Sequence, residues 1–282
     1  MALYSVVFSR YGRRCLLLAV GLMLAAGLVP GRAAAQDAST LDHIRQSGVL
    51  RVGTGIYPPY TIQQPDGSVT GIEASLLEKL AKRLHAKLQY IVVGFDIIAA
   101  GIDTNKYDMT SGLLQSEGRM KVVEYASVPI YTVGQVWMVR SDNPKHFHTL
   151  ADLNKPDTKI VVTTGGFDEI ATTKYIPEAG RKSIPGVSIP QVVAEVISRR
   201  VDACGLETPV NTALYKGQYG DQIAFIPDTG HPVTEVPASW TFKKGDEKFH
   251  KYLNNFLGEQ VKNGTLGQLK TKFLKAEYIL QQ

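Results

Sequence analysis

The chain has 282 residues, 44% of them hydrophobic and 20% charged, with 31 basic against 26 acidic side chains and two cysteines. The formal charge of +5 is misleading, because Arg10, Arg13, Arg14 and Arg32 all fall in the first 35 residues, which contain no acid, and setting those four aside leaves 27 basic against 26 acidic residues. A near-neutral surface excludes nucleic acid and an anionic membrane as partners, since both ask for a basic face.

Along the chain, the three arginines before the apolar run Cys15 to Val29, followed by the small-residue site Ala33-Ala34-Ala35, read as a secretory signal peptide spanning residues 1–35. The run is shorter than the ~20 residues of a membrane span, and no later segment is long and apolar enough to cross a bilayer. The flanks of Arg13-Arg14 fit an ordinary basic leader better than the twin-arginine pattern, and Cys15 lacks the small-residue context of a lipoprotein. Removal of the leader leaves Cys204 alone, so the exported chain has no internal disulfide and must be held by packing, which its size permits as one large domain or two lobes.

Leu50 to Thr54 is β-prone, and Ile72, Leu76, Leu77, Leu80, Ala81 and Leu84 recur at helical spacing with Glu78, Lys79, Lys82 and Arg83 opposite. Leu88 to Val93 reads as a strand, Phe95 to Asp103 as a helix, Tyr107 to Ser111 as a strand, and Ser116 to Val122 as a helix with Ser116 as its N-cap. Strand and helix in alternation imply a parallel sheet. After the long strand Val133 to Arg140 a second unit begins: strand Lys159 to Thr163, helices Phe167 to Tyr175 and Ile189 to Arg199, strand Val201 to Gly205, and a helix ending near Tyr215. A β-prone run, Val236 to Phe242, and two amphipathic stretches, Phe249 to Val261 and Leu266 to Leu274, complete the chain. It contains no internal repeat and no low-complexity tract.

Enzyme and cofactor motifs are few. Gly53-Thr-Gly55 is followed by Pro58 and Pro59, where a dinucleotide fingerprint needs a third glycine and a helix. His146 and His148 lie in a polar loop with no third ligand at metal spacing, so no metal and no cofactor is expected. What remains sits where strands end, the place where open α/β sheets bind ligands. These segments are Tyr57-Pro-Pro-Tyr60, Phe95-Asp96, Ser111-Gly112, Gly165-Gly166-Phe167-Asp168 and Leu206-Glu207. Tyr57 either covers an apolar ligand or packs its corner into the lobe. Gly165 and Gly166 either offer backbone N–H groups to a ligand oxygen or merely make a tight turn. Glu207 either meets a ligand ammonium or is a surface acid at a helix start. Arg119, placed close after a buried strand end, needs an anion, and its planar fork suits a carboxylate, internal or external.

Together these segments resemble a known family. Leu41-Asp-His-Ile-Arg-Gln-Ser-Gly-Val-Leu-Arg-Val-Gly-Thr54 with Tyr57 to Tyr60, Asp66-Gly67 before Gly71-Ile-Glu73, Lys106-Tyr-Asp108, Ser111-Gly112 with Arg119, and Arg200-Val-Asp-Ala203 follow the order and spacing of the extracellular solute-binding proteins of family 3, the polar amino acid type of ABC transporter, over Leu41 to Leu274. The resemblance implies a type II periplasmic binding protein-like fold, two α/β lobes joined by two crossover strands, with lobe one formed by 36–133 and 235–282 and lobe two by 134–234. It implies a periplasmic monomer that takes an amino acid or other small carboxylate into the inter-lobe cleft and docks on an ABC permease in the inner membrane. By the same resemblance Arg119 clamps the ligand's α-carboxylate, Glu207 takes its ammonium where the family usually has Asp, and Tyr57 and Phe95 sandwich the side chain.

The chain departs from the family at several of these points. Leu114 stands where a Ser or Thr assists the arginine, one residue is missing between Asp108 and Ser111, and Gly165-Gly166-Phe167 replaces Gly-Thr-Thr. With three polar donors gone, a carboxylated or aromatic ligand is as open as a plain α-amino acid. The Gly-Gly followed by Asp168-Glu169 also resembles cyclohexadienyl and arogenate dehydratases, enzymes of the same fold, but the position of their acid, three residues after Glu207, is Val210. A binding protein without catalysis is therefore the expectation.

Overall fold

Two large sheets organise residues 39–185 and 189–274, the part of the chain that the computed structural model describes. The expected export signal, residues 1–35, lies outside the described residues. The first helix, α1 (Thr40–Ser47), is capped by the Ser39 hydroxyl and ends at Gly48, whose φ of 68° is left-handed and suits glycine. There follow β1 (Val49–Thr54), the small hairpin of β2 (Ile62–Gln63) and β3 (Val69–Thr70), α2 (Ile72–Leu84), β4 (Lys87–Val92), α3 (Ala100–Asp103), β5 (Met109–Thr110), β6 (Leu113–Leu114), α4 (Glu117–Val122), β7 (Val123–Tyr125) and the long β8 (Tyr131–Arg140). The middle of the chain contributes α5 (Leu150–Leu153), β9 (Lys159–Thr163), α6 (Phe167–Tyr175), β10 (Gly180–Ile184), α7 (Ile189–Ile197), β11 (Ala203–Thr208), α8 (Val210–Tyr219), β12 (Ile223–Ile226) and β13 (Glu235–Ser239). The chain then returns through β14 (Thr241–Lys243) to α9 (Glu247–Lys262) and α10 (Thr265–Phe273).

The result is a mixed α/β molecule of two lobes. One sheet has the order β4-β1-β5-β14-β7, the other β10-β9-β11-β8-β13-β6 with β12 also on β8. Neither is wholly parallel, as strand–helix alternation alone implied. β1 runs parallel to β4 and β5, and β9 to β10 and β11, but β8 and β13 pair antiparallel with each other and β14 is antiparallel to β5 and β7. The difference arises because the chain leaves through one strand and comes back beside it through the other.

Packing follows the apolar spacing. Ile72, Leu76, Leu77, Leu80 and Leu84 are all buried along α2, each stabilising by about 1.5–3 kcal/mol relative to exposure. Trp240, Phe242, Phe249 and Phe256 bury against the same core, while Val136, Met138, Val161, Val193, Val196 and Leu206 form a second cluster in the other lobe. The run Val236 to Phe242 breaks at Trp240 into β13 and β14, one for each sheet.

The helix expected over Phe95–Asp103 shortens to Ala100–Asp103. Close contacts hold its first residues in a turn. A Cβ on Gly55 would lie 2.5 Å from the Phe95 ring, and one on Gly165 would lie 2.3 Å from the Asp96 Cα. The strand β10, sequence GRKSI, carried no apolar signal because it is a largely exposed edge.

Candidate functional site

A cavity, part of it open to solvent, lies where β1, β6, β9 and β11 end. The free space inside it is about 40 Å³, well under the ~300–1,000 Å³ of small-molecule sites, so its walls stand close together. Of the residues singled out from sequence, Tyr57, Phe95, Gly112, Arg119, Gly166, Phe167, Asp168 and Glu207 line it. Ser111 does not line it. Its hydroxyl is buried 2.9 Å from the Thr54 hydroxyl, behind the strand ends. Gly165 reaches the site through its carbonyl.

The first wall is built on a tyrosine stack. The Tyr57 ring lies 5.4 Å from Tyr60 with an interplanar angle of 8°, and Tyr60 lies 3.8 Å from Tyr131. Tyr57 thus packs its corner into the lobe and also lines the cavity. Below the stack Glu73 is fully buried. Its Oε2 accepts the Trp240 indole N–H at 2.7 Å, and Oε1 has no side-chain or backbone partner at hydrogen-bond geometry. Burial pushes the Glu73 carboxyl up to about 7, against the pull of the Trp240 and Gly112 N–H groups. A Cβ on Gly112 would lie 1.9 Å from Glu73 Oε1, so only glycine fits over this acid.

Arg119 is placed by α4. The Ser116 hydroxyl caps that helix by accepting the Arg119 backbone N–H at 3.3 Å, as expected. The guanidinium donates from Nη1 to the Leu114 carbonyl at 2.9 Å and from Nη2 to the Gly165 carbonyl, on the opposite wall, at 2.7 Å. Among the described residues it forms no ion pair with a carboxylate. Burial pulls its pKa down, opposed by Tyr125, Tyr131 and Asp168. The position without the expected hydroxyl, Leu114, still serves the arginine through its main chain.

The second wall carries two acids. Asp168 is 2% exposed, and its Oδ2 accepts the Thr163 backbone N–H at 2.7 Å. Burial, then the neighbouring Glu207, push its carboxyl up to about 8. Glu207 is 5% exposed, which rules out a surface acid. Its Oε2 accepts from Asn211 Nδ2 at 3.2 Å, and the same amide donates to the Tyr57 hydroxyl at 3.2 Å, tying the two walls together. Burial pushes Glu207 up to about 7, with hydrogen bonds from Asn211 and Tyr57 acting against the rise. Thr163 lines the same recess, and its buried hydroxyl has no hydrogen-bond partner.

The amides of Gly165 and Gly166, read as donors for a ligand oxygen, are already engaged. Gly165 N–H donates to Glu169 Oε2 at 2.8 Å and Gly166 N–H to the Thr163 carbonyl at 2.8 Å. The first-turn acid of α6 folds back onto the loop and takes the place of an external anion. Gly165 itself is fixed by a φ of 70° and by Asp96 against it.

Sequence reasoning missed Ile56, Leu113, Tyr131, Thr163 and Ile189 among the lining residues. It also passed over Glu73 and Asn211, which support the site. A signal for Glu73 existed, since it falls one turn before Leu77 on the buried face of α2. Asn211 carried none. His146 and His148 lie exposed in their loop, and among the described residues no group of three or more His, Cys, Asp or Glu could hold a metal.

Comparison with known proteins agrees with this architecture. The family model for bacterial extracellular solute-binding proteins, family 3, matches residues 50–276. An L-cystine-binding protein of Escherichia coli (strain K12) is 27% identical over 94% of this chain and 97% of that protein. The crystal structure of an ancestral amino acid-binding protein, described as a precursor of cyclohexadienyl dehydratase, superposes with a TM-score of 0.74 at 31% identity, covering 84% of this chain and all of that one. A cyclohexadienyl dehydratase of Pseudomonas aeruginosa is 27% identical over 46% of this chain and 49% of that enzyme.

Proposed function

The chain belongs to the bacterial extracellular solute-binding proteins, family 3, and on that premise we propose that it captures an amino acid or related small carboxylate between its lobes and presents it, in the periplasm, to the permease of an ABC importer. In this reading the lobes comprise 36–133 with 235–282, and 134–234. The observation that carries it is the opposition, across one cavity, of a guanidinium with no carboxylate partner among the described residues and a buried acid pair. Arg119 takes the ligand carboxylate, exchanging its bonds to the Leu114 and Gly165 carbonyls for a two-pronged one, and Glu207 takes the ammonium. Phe95, Phe167, Leu114 and Ile56 exclude water around the grip and strengthen it. Contacts from both walls exist only when the lobes meet, so affinity and closure are one equilibrium. In the empty protein the cross-wall bonds Arg119 to Gly165 and Asn211 to Tyr57 hold the walls together, and the second of them can persist once a ligand takes the guanidinium. The amino acid-binding relatives support this reading.

A thermal-shift screen of amino acids, amines and small carboxylates tests it. A true ligand at one hundred times its Kd adds ~2.7 kcal/mol to stability. No shift with any amino acid or small carboxylate would overturn the proposal.

One observation favours a second reading, a dehydratase. Asp168 is held as a neutral acid near physiological pH at the cavity wall, which is what a proton donor to a leaving hydroxyl requires. The binding reading is preferred because Val210 stands where the dehydratases carry their acid. Turnover of prephenate or arogenate by the purified protein above the uncatalysed rate would reverse the choice.

A further inference from the structure

Charge inside the cavity is unbalanced. Among the described residues that line it, Arg119 is the one cation, while Asp168 and Glu207 are both acids. The acids are 2% and 5% exposed, and among the described residues neither forms an ion pair. With no cation beside them, two acids on one buried wall are driven toward their protonated forms in the empty protein, and a ligand that brings cationic nitrogens would let them ionise. A zwitterion would supply a carboxylate for Arg119 and an ammonium for one acid. The second acid would stay without a cation.

The second acid is also a built feature. A Cβ on Gly205 would lie 2.7 Å from the Asp168 Cβ, so the strand β11 leaves room for this side chain. Asp168 is oriented by the Thr163 main chain and Glu207 by Asn211 and Tyr57, so the two are held independently and each can accept its own N–H donor. Beside Asp168, the Thr163 hydroxyl is buried, lines the cavity and has no partner. The remaining groups that face the pair are Cys204, Tyr60 and Tyr131, none of them cationic, and Arg119, whose two bonds go to carbonyls.

We infer that the cavity selects a ligand with one carboxylate and two basic nitrogens, a net cation at neutral pH, with Glu207 receiving one nitrogen and Asp168 with the Thr163 hydroxyl receiving the other. This inference rests on the binding-protein reading above and narrows its ligand class. Asp168 is then a specificity-determining residue, because it is the acid that a neutral amino acid leaves uncompensated.

The test is calorimetric titration of the purified protein at pH 7.5 with two isosteric pairs, ornithine against norleucine and diaminobutyrate against norvaline. In each pair a terminal ammonium replaces a methyl group. In at least one pair the basic member is expected to bind about tenfold or more tighter. Asp168→Asn, which keeps an oxygen for the Thr163 N–H, is expected to remove most of that preference. The wild-type comparison stands even if the variant is unstable. Neutral members that bind as tightly as basic ones in both pairs would overturn the inference while leaving the amino acid reading intact. So would a folded Asp168→Asn protein with its preference unchanged. Absence of binding by all four compounds would overturn this inference and the reading beneath it.

Discussion

Replacing Arg119 with alanine removes the one cation among the described residues of the cavity wall and tests its role with a worked magnitude. A charge-assisted hydrogen bond contributes about 1.5–3 kcal/mol net, so a two-pronged grip on a carboxylate is worth roughly 3–6 kcal/mol. Against this, the guanidinium must give up its bonds to the neutral Leu114 and Gly165 carbonyls, at 2.9 and 2.7 Å, each about 1.5 kcal/mol, the bottom of that range. The middle of the ligand range less these two bonds leaves roughly 1.5 kcal/mol, or about tenfold in Kd. The effect on the empty protein should be smaller. The Leu114 carbonyl keeps the Tyr125 hydroxyl at 3.1 Å, and the Gly165 carbonyl lies at the cavity, where water can reach it once the lobes part. Calorimetry with a ligand found by thermal shift reads the change directly, and Arg119→Lys should fall between wild type and alanine because it keeps the charge but loses the fork. An alanine variant with affinity within about twofold of wild type would refute the argument that this side chain holds the ligand.

Other consequences follow from the buried acids and the close contacts. The carboxyls of Glu73 and Glu207, held at about 7, and Asp168, at about 8, keep their protons in the folded chain at a pH where the unfolded chain has lost them. Their contribution is therefore fully present below about pH 4 and is lost as pH rises through 7 to 8, so the melting temperature of the unliganded protein should fall between pH 5.5 and about 8.5. Glu73→Gln should flatten part of that fall, since its shift corresponds to about 3 kcal/mol. A melting temperature that rises over the same interval would contradict the assignment. Gly112→Ala should lower stability by about 1–3 kcal/mol in denaturant titration, because its Cβ would sit 1.9 Å from Glu73 Oε1. Asn211→Leu should weaken ligand binding by about tenfold, since one amide links Glu207 to the Tyr57 hydroxyl across the cleft. Unchanged binding would show that the link plays no part in closure.

Much of the fold was legible because its signals are local. The spacing of Ile72 to Leu84 gave α2 with its ends, and Phe167 to Tyr175 matched α6. The site was legible residue by residue at strand ends, which is why eight of the lining positions could be marked in advance. What escaped depends on contacts between distant segments. Phe95 lies in a turn because Gly55 lies under its ring, and the Gly165 amide of the second wall is engaged because Glu169 reaches back to it. Asn211 sits on α8 but acts on Tyr57, more than 150 positions away. Asp168, marked from the sequence as a strand-end site residue, lines the cavity and is also a first-turn acid of α6, and nothing in its neighbours along the chain separates the two roles.

The central claim is that one ligand is held at both ends, its acid by the first lobe and its amine by the second. The direct measurement is a calorimetric comparison of an amino acid that stabilises the protein with its decarboxylated and its deaminated counterparts. Each counterpart is predicted to bind at least about tenfold more weakly than the parent. A decarboxylated or deaminated compound that binds as tightly as the intact amino acid would contradict the account.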